Sequence, residues 1–362
     1  MKTCQHCGFL HDEPNLSECP RTGEKMSAPG LIGRRVDRYQ VLKLLGAGGF
    51  GAVFRAKHAR TDAEVALKVL KQGLVSDEKA LDRFMREAKA AAAVGGEHVV
   101  RVLDAEVTPD GLAFIAMELL DGSDLRELDE REGPLSPTRA IDIVCQVLDG
   151  LEAAHQKGVV HRDMKPGNVF IVLRKDDDGV ERERAKLLDF GISKMVDPTN
   201  EKQLTATNTA MGTPGYMAYE QFFNARDVDA RADVYAVSAM TFELLSGRKP
   251  FVAESYAELV MKVRNETAPP LRSVAPSLPA PLCAVVDKGL QRKRERRWDS
   301  AAQMAAAMRG LSTLLVGTSP ARRAVQRKAL HSDPEVHKDT RGKQRRDEDQ
   351  TDKLSGTFIR KK

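Results

Sequence analysis

Between residues 37 and 121 apolar and polar positions alternate in short runs. RYQVLKLLGAGGFGAVFRAKHA predicts two strands around a glycine turn, AEVALKVLK a third, and VVRVLDAEV and LAFIAMELL two more. One stretch breaks this period. SDEKALDRFMREAKAAAAV repeats every three to four positions, which predicts a helix with Ser76 at its N-cap and Glu87 within it. After Asp121 the helical period dominates, in SPTRAIDIVCQVLDGLEAAHQKG, RADVYAVSAMTFELLSG, SYAELVMKVRN and the stretch from Ala280 to Leu290. Pro137 suits the first turn of the first of these, where its missing N–H costs nothing. The pattern predicts a small strand-rich lobe over 37–120 and a larger helical lobe over 121–312. The connection falls near Glu118 to Asp124, and there are no internal repeats.

The two ends carry neither period. Residues 1–30 are rich in Cys, His, Pro and Gly, and 313–362 ends in basic runs, RRAVQRK, HKDTRGKQRR and FIRKK, from Arg322 to Lys362. With almost no apolar periodicity this tail cannot offset its ordering entropy, so it is expected to be disordered: a solvated tail, or one that docks acidic partners. Of the 362 residues 41% are hydrophobic and 30% charged, enough for a sizeable core, and much of the net charge of +5 gathers in the tail. The tail lacks the aromatic interleaving of nucleic-acid modules, so nucleic acid is not an expected partner. No run approaches the ~18 apolar residues that span a bilayer. The five cysteines and the lack of a secretory apolar region predict a reducing, cytoplasmic setting without membrane insertion, with Cys145 and Cys283 as buried thiols.

The chemistry lies in three places. Gly46-Ala47-Gly48-Gly49-Phe50-Gly51 fits G-x-G-x-x-G, whose glycines let backbone N–H groups approach phosphate oxygens. Alone, it also reads as an ordinary hairpin. A dinucleotide-binding loop must open a helix, whereas this one leads into the strand Ala52–Ala56. Next, Val65-Ala66-Leu67-Lys68 places a lysine in the third strand. Burying it costs free energy unless it is paired, and Glu87 on the following helix is the predicted partner. Last, Val160-His161-Arg162-Asp163-Met164-Lys165-Pro166-Gly167-Asn168 precedes a strand, with Asp189-Phe190-Gly191 beyond it.

Together, and in this order, these motifs resemble the eukaryotic-type serine/threonine protein kinase family in its bacterial form, from about Tyr39 to Leu311. The resemblance implies an α+β, bilobal kinase fold, with a small β-rich N-lobe and a large α-helical C-lobe. It implies a transferase that moves the γ-phosphoryl of ATP onto Ser/Thr hydroxyls of protein substrates in signalling. Asp163 would be the base, with Lys165, Lys68 and Glu87 as its catalytic companions. Asn168 and Asp189 would hold Mg²⁺, a hard ion that takes oxygen ligands. The nucleotide would meet Gly46, Gly48 and Gly51 at its phosphates, Val53 and Ala66 above adenine and Phe170 below. Its adenine edge would meet the backbone from Glu118 to Leu120 and its ribose Asp124, with Met117 guarding the back. The sequence D-x-K-P-x-N around Lys165 points to the Ser/Thr branch.

The threonine-rich stretch after Asp189 resembles an activation segment, with Thr205, Thr207 and Thr209 as autophosphorylation candidates opposite Arg162, and a second copy as partner if transfer occurs in trans. Plain exposed loop threonines are the alternative. Thr213 would bond near Asp163 and Lys165. Two departures stand out: Ala218-Tyr219-Glu220 where the family has A-P-E, and the polar insert LRKDDDGVERERAK, read as an exposed hairpin tip. Glu220 is expected to pair with Arg297, and Asp233 to hold the catalytic loop from below. Cys4, Cys7 and Cys19 resemble a zinc-ribbon-like segment whose second knuckle ends in Thr22, with His6 or His11 as a fourth ligand. The alternative is a degenerate ribbon with free thiols. A silent scaffold is the rival function, but such relatives lose the lysine or an aspartate, and all three remain.

Overall fold

The structure is a computed structural model that describes residues 31–48, 51–71, 74, 77–176, 178–190, 214–223 and 227–317, with a strand pair β1 (Lys2–Thr3) and β2 (Leu10–His11). The cysteines Cys4, Cys7 and Cys19, the threonines Thr205, Thr207, Thr209 and Thr213, and the basic run from Arg322 lie outside the described residues. The described residues from Leu31 to Val316 form one compact unit.

Alternation builds the first lobe. The strands β3 (Arg35–Val36), β4 (Tyr39–Ala47), β5 (Gly51–His58), β6 (Glu64–Leu70), β7 (Val102–Val107) and β8 (Ala113–Glu118) form one antiparallel sheet in the order β3-β4-β5-β6-β8-β7. On β6 the period of two sends Val65, Leu67 and Val69 into one apolar cluster with Val41, Phe54 and Phe114, and Ala66 into another with Phe84, Ile115 and Met117. The second cluster is where helix α1 (Glu78–Val94) packs, through Phe84 and Ala88. Its N-cap is Asp77, not Ser76: the Asp77 carboxylate accepts from Lys79 N at 3.0 Å and Ala80 N at 3.3 Å. Both residue types suit a cap; the carboxylate, which serves two orphan amides, decides the register.

The second lobe begins with β9 (Gly122–Asp124), α2 (Leu125–Glu132) and α3 (Pro137–His155), where Ser136 caps α3 and Pro137 opens it. Strands β10 (Val169–Lys175) and β11 (Glu181–Leu187) make the hairpin expected of the polar insert, and β10 also pairs with β9. Helices α4 (Tyr219–Phe223), α5 (Arg231–Ser246), α6 (Tyr256–Asn265), α7 (Leu271–Val274), α8 (Ala280–Gly289) and α9 (Ala301–Gly317) follow. Helix α5 is apolar nearly all round, as a core helix should be.

A glycine marks where the lobes meet. On Gly150, inside α3, a methyl group would stand 2.9 Å from Leu187 Cδ1 and 3.0 Å from the His98 carbonyl oxygen. His98 in turn accepts the Leu187 N–H at 2.8 Å, so the segment before β7 is laced to β11. Gly150→Ala would gain up to about 1 kcal/mol of helix propensity and lose about 1–3 kcal/mol to overpacking. We expect net destabilisation and a Tm lower by several degrees on thermal melting. A Tm unchanged or raised would mean that the contact gives way freely.

Candidate active site

The strand β6 carries Lys68 and the helix α1 carries Glu87, and the Lys68 Nζ donates to Glu87 Oε1 at 2.6 Å. It also donates to Asp189 Oδ1 at 2.8 Å, so a residue just past β11 joins two from the first lobe. One ammonium thus faces two carboxylates. Burial pulls the Lys68 ammonium down, but Asp189 and Glu87 outweigh it and hold its value above the ordinary lysine range. Burial pushes the Asp189 carboxyl up, and Lys68, by charge and by hydrogen bond, carries it below the ordinary value. Glu87 is the group left short of positive charge. Burial, with the Asp189 charge added to it, pushes its carboxyl up to about 7 against the pull of Lys68.

The raised Glu87 value makes stability depend on pH. A carboxyl ordinarily near 4.5 that titrates near 7 in the folded chain binds more protons folded than unfolded between those values. Its contribution to stability is present at low pH and is lost as pH rises towards 7. The Asp189 and Lys68 shifts act outside this window, below about 4 and above about 10. Asp129, pushed up to about 6 by burial and by Glu243, adds a slope of the same sign. The melting temperature of nucleotide-free protein should therefore fall from pH 5 to pH 7 relative to that of Glu87→Gln. Parallel curves for the two proteins would refute it.

The second half of the site is the loop between α3 and β10. The Asp163 Oδ2 accepts from Lys165 Nζ at 2.9 Å and from Asn168 Nδ2 at 3.1 Å, and the Asn168 Nδ2 also donates to the Asp163 carbonyl oxygen at 2.7 Å. Below it, the buried Asp233 of α5 accepts from the backbone N–H of His161 and of Arg162, each at 2.8 Å, and contacts His155 Nε2 at 2.8 Å. Arg162 has a left-handed backbone, φ 64°, as does Asp189 at 36°. Leu188 stitches the halves: its N–H donates to the Asn168 carbonyl oxygen at 2.9 Å, and its carbonyl oxygen lies 3.0 Å from His161 Nε2. Phe190, fully buried against Ala91, Val94, Val99 and Ala154, lies 4.9 Å from the His161 ring, so the loop between α3 and β10 and the helix α1 share it.

Of the remaining candidates, Met117 lines the small cavity beside Lys68, and the others lie on the strands and turns around it. Val53 and Ala66 belong to the cluster that also holds Met117 and Leu120, and Met117 walls a small cavity shared with Lys68, Glu87 and Asp189. Phe170 pairs with Asp124 across β10 and β9. Asp124 also caps α2, its Oδ1 accepting from Glu127 N at 2.9 Å. Gly46 and Gly48 leave open space where side chains would stand, whereas a methyl group on Gly51 would meet the Val69 carbonyl oxygen at 2.2 Å. Only Gly51 is thus demanded by the chain's own packing. Outside the cleft, Arg297 grips Glu220 through Nη1 at 2.6 Å and Nη2 at 2.9 Å.

Several contacts escape the sequence reading. Glu118 is pinned by the Lys186 Nζ at 2.7 Å and the Arg101 N–H at 2.9 Å, which ties the inter-lobe connection to β11. Lys157 donates to the Ala93 and Val94 carbonyl oxygens, each at 2.7 Å, and so caps the C-terminus of α1 from the second lobe. Gln221 reaches the Arg162 carbonyl oxygen. The period of two on β11 is a weak signal for Lys186; nothing local marks the other two.

Residues 39–330 match the family described as the protein kinase domain. The chain is 42% identical over 234 residues to the serine/threonine-protein kinase pkn3 of Myxococcus xanthus, covering 64% of this chain and 42% of that protein. It is 37% identical over 274 residues to PknB of Mycolicibacterium smegmatis, covering 75% and 42%. The chain thus spans about two fifths of the length of these curated relatives. Its fold is similar to the crystal structure of the Mycobacterium tuberculosis PknI kinase domain, with a TM-score of 0.58 at 30% identity, over 77% of this chain and 98% of that one.

Proposed function

The chain belongs to the protein kinase domain family, and on that premise we propose that it is an active serine/threonine kinase that transfers the γ-phosphoryl of ATP to protein hydroxyls. The observation that carries this reading is the convergence on one cleft of Lys68, Glu87 and Asp189 at 2.6–2.8 Å, stitched through Leu188 to Asp163, Lys165 and Asn168.

Family members use ATP with Mg²⁺, and the residues here fit both. The open space at Gly46 and Gly48 suits phosphate oxygens close to backbone. The Asn168 amide nitrogen is committed to Asp163, which leaves its oxygen, with the Asp189 carboxylate, as a hard donor set for Mg²⁺. When bound, the metal neutralises phosphate charge. The chain's own residues do the rest. Lys68, oriented by Glu87, binds phosphate. Lys165 adds positive charge beside the base. Asp163 orients the acceptor hydroxyl and takes its proton. Asp233 holds the loop backbone that carries these groups. Val53, Ala66 and Phe170 sandwich adenine, the backbone from Glu118 to Leu120 bonds its edge, and Asp124 reaches the ribose while capping α2.

The domain limits follow the sequence reading: a cysteine-rich segment to residue 30, lobes over 37–120 and 121–312, and the tail beyond. Regulation is assigned to autophosphorylation at Thr205, Thr207 or Thr209, in trans between two copies. Zinc at Cys4, Cys7 and Cys19 and a cytoplasmic setting rest on the sequence alone. Among the described residues no helix is long and apolar enough to cross a membrane. Incubation of the whole chain with γ-labelled ATP, Mg²⁺ and a panel of acceptor proteins tests the proposal, with phosphosites mapped by mass spectrometry. Label on serine or threonine is expected; absence of label on the chain and every acceptor overturns it.

A further inference from the structure

The peptide group that joins Arg162 to Asp163 is held at both ends. Its N–H, which belongs to Asp163, donates to His161 Nδ1 at 3.3 Å; its carbonyl, which belongs to Arg162, accepts from Gln221 Nε2 at 2.8 Å. Gln221 is buried on the short helix α4, and its Oε1 accepts the Ala218 N–H at 3.0 Å. That second bond fixes which way the amide faces, since a flipped amide would set oxygen against oxygen at Arg162 and N–H against N–H at Ala218. The residue before Gln221 is Glu220, locked by Arg297 at 2.6 and 2.9 Å. A buried ion pair thus sets the place of the side chain that reaches the catalytic loop.

The loop needs such a hold. At φ 64° a non-glycine residue crowds its own Cβ, and Arg162 stays there only because its surroundings over-determine it. Asp233 takes its N–H at 2.8 Å, and Gln221 takes its carbonyl. Without the Gln221 donor this carbonyl loses its partner in a half-buried place, and Arg162 can relax towards an unstrained φ, carrying the peptide plane with it. Asp163 is the next residue, so the turn displaces the carboxylate itself. Lys68, Glu87 and Asp189 lie on other elements and stay as they are.

We propose that Gln221 is a positioning residue for phosphoryl transfer: it holds the peptide plane of the base Asp163, and wires the anchored end of the activation segment to the catalytic loop. The inference rests on the kinase reading above and adds a residue to it. Two variants separate its bonds. Gln221→Met removes both at nearly constant shape. Gln221→Glu keeps an acceptor for the Ala218 N–H but sets an acceptor against the Arg162 carbonyl.

Steady-state kinetics on the whole chain should give a kcat about tenfold lower for both variants, with KM for ATP within twofold of native, since misplacing a reacting group by a fraction of an ångström costs rate and not nucleotide affinity. Nucleotide binding at one site per chain in each variant shows that lost turnover is not lost folding. Hydrogen–deuterium exchange gives a readout independent of turnover: faster exchange in the peptide over 160–165, with α5 unchanged. A Gln221→Glu with native kcat overturns the proposal, as does native exchange at the loop in both variants. If the native chain itself transfers no phosphate, the kinase reading fails, and the exchange comparison still decides whether Gln221 holds the loop.

Discussion

Asp163→Asn should lower phosphoryl transfer by roughly 10³-fold while leaving nucleotide affinity within a factor of a few. The size follows from what a positioned base contributes, about 10²–10⁴-fold. The selectivity follows from where the residue stands. Asp163 touches Lys165 at 2.9 Å and Asn168 at 3.1 Å, whereas Lys68, the proposed phosphate-binding group, is bonded to Glu87 and Asp189. An asparagine keeps the shape and can still accept from Lys165, so the loop, hung from Asp233 by the His161 and Arg162 amides, should keep its path. Labelled ATP with Mg²⁺ and a protein acceptor measures the rate, and nucleotide titration measures affinity. A variant with more than about a tenth of native turnover would show that Asp163 only positions the hydroxyl, because a base in proton transfer cannot be lost so cheaply.

What the sequence revealed of this site, and what it did not, divides by the reach of the forces involved. The Lys68–Glu87 pair was legible from burial alone, and the closeness of Asp163 to Asn168 and of Asp189 to Lys68 from the spacing of the motifs. A lysine in a buried strand asks for a carboxylate, and a hard cation asks for oxygens. The strand and helix periods were legible because burial enforces them locally, as Val65, Leu67 and Val69 show on β6. The cap of α1 was read one residue early, because Ser76 and Asp77 are both capping types and only geometry ranks them. Gly150 reads as a weak helix residue until His98 and Leu187 are seen against it.

Tyr219 replaces the proline of A-P-E, and its reason is tertiary. It packs with Phe251, Leu259 and Val263, under the Arg292 guanidinium at 4.8 Å from its ring. Lys157, Lys186 and Gln221 act on backbone or carboxylate groups 59–68 positions away, a separation at which neither period nor motif carries information.

Arg297→Met should be the most damaging of the single changes for stability, by about 3–5 kcal/mol, which for a domain of this size lowers Tm by about 5–10 °C. The guanidinium has no solvent exposure. Besides its two bonds to Glu220, it donates to the carbonyl oxygens of Gln291 at 2.7 Å, Arg231 at 3.1 Å and Arg292 at 2.9 Å, and it lies over the Tyr235 ring at 5.0 Å. Methionine fills the space but leaves the Glu220 carboxylate charged, buried and unpaired, with three carbonyls short of a donor. The penalty is that of an orphaned charge more than of a lost attraction, and this gives the test its second arm. Glu220→Leu with Arg297→Met removes the stranded carboxylate and should be distinctly more stable than Arg297→Met alone, a non-additivity that two unrelated core lesions would not produce. High salt should rescue neither variant, because the pair is sealed from counterions. If Arg297→Met melts within about 2 °C of native, or if the second substitution only deepens the loss, the pair is packing and not an electrostatic lock. The end of the activation segment would then have to be held at the catalytic loop by something other than Glu220.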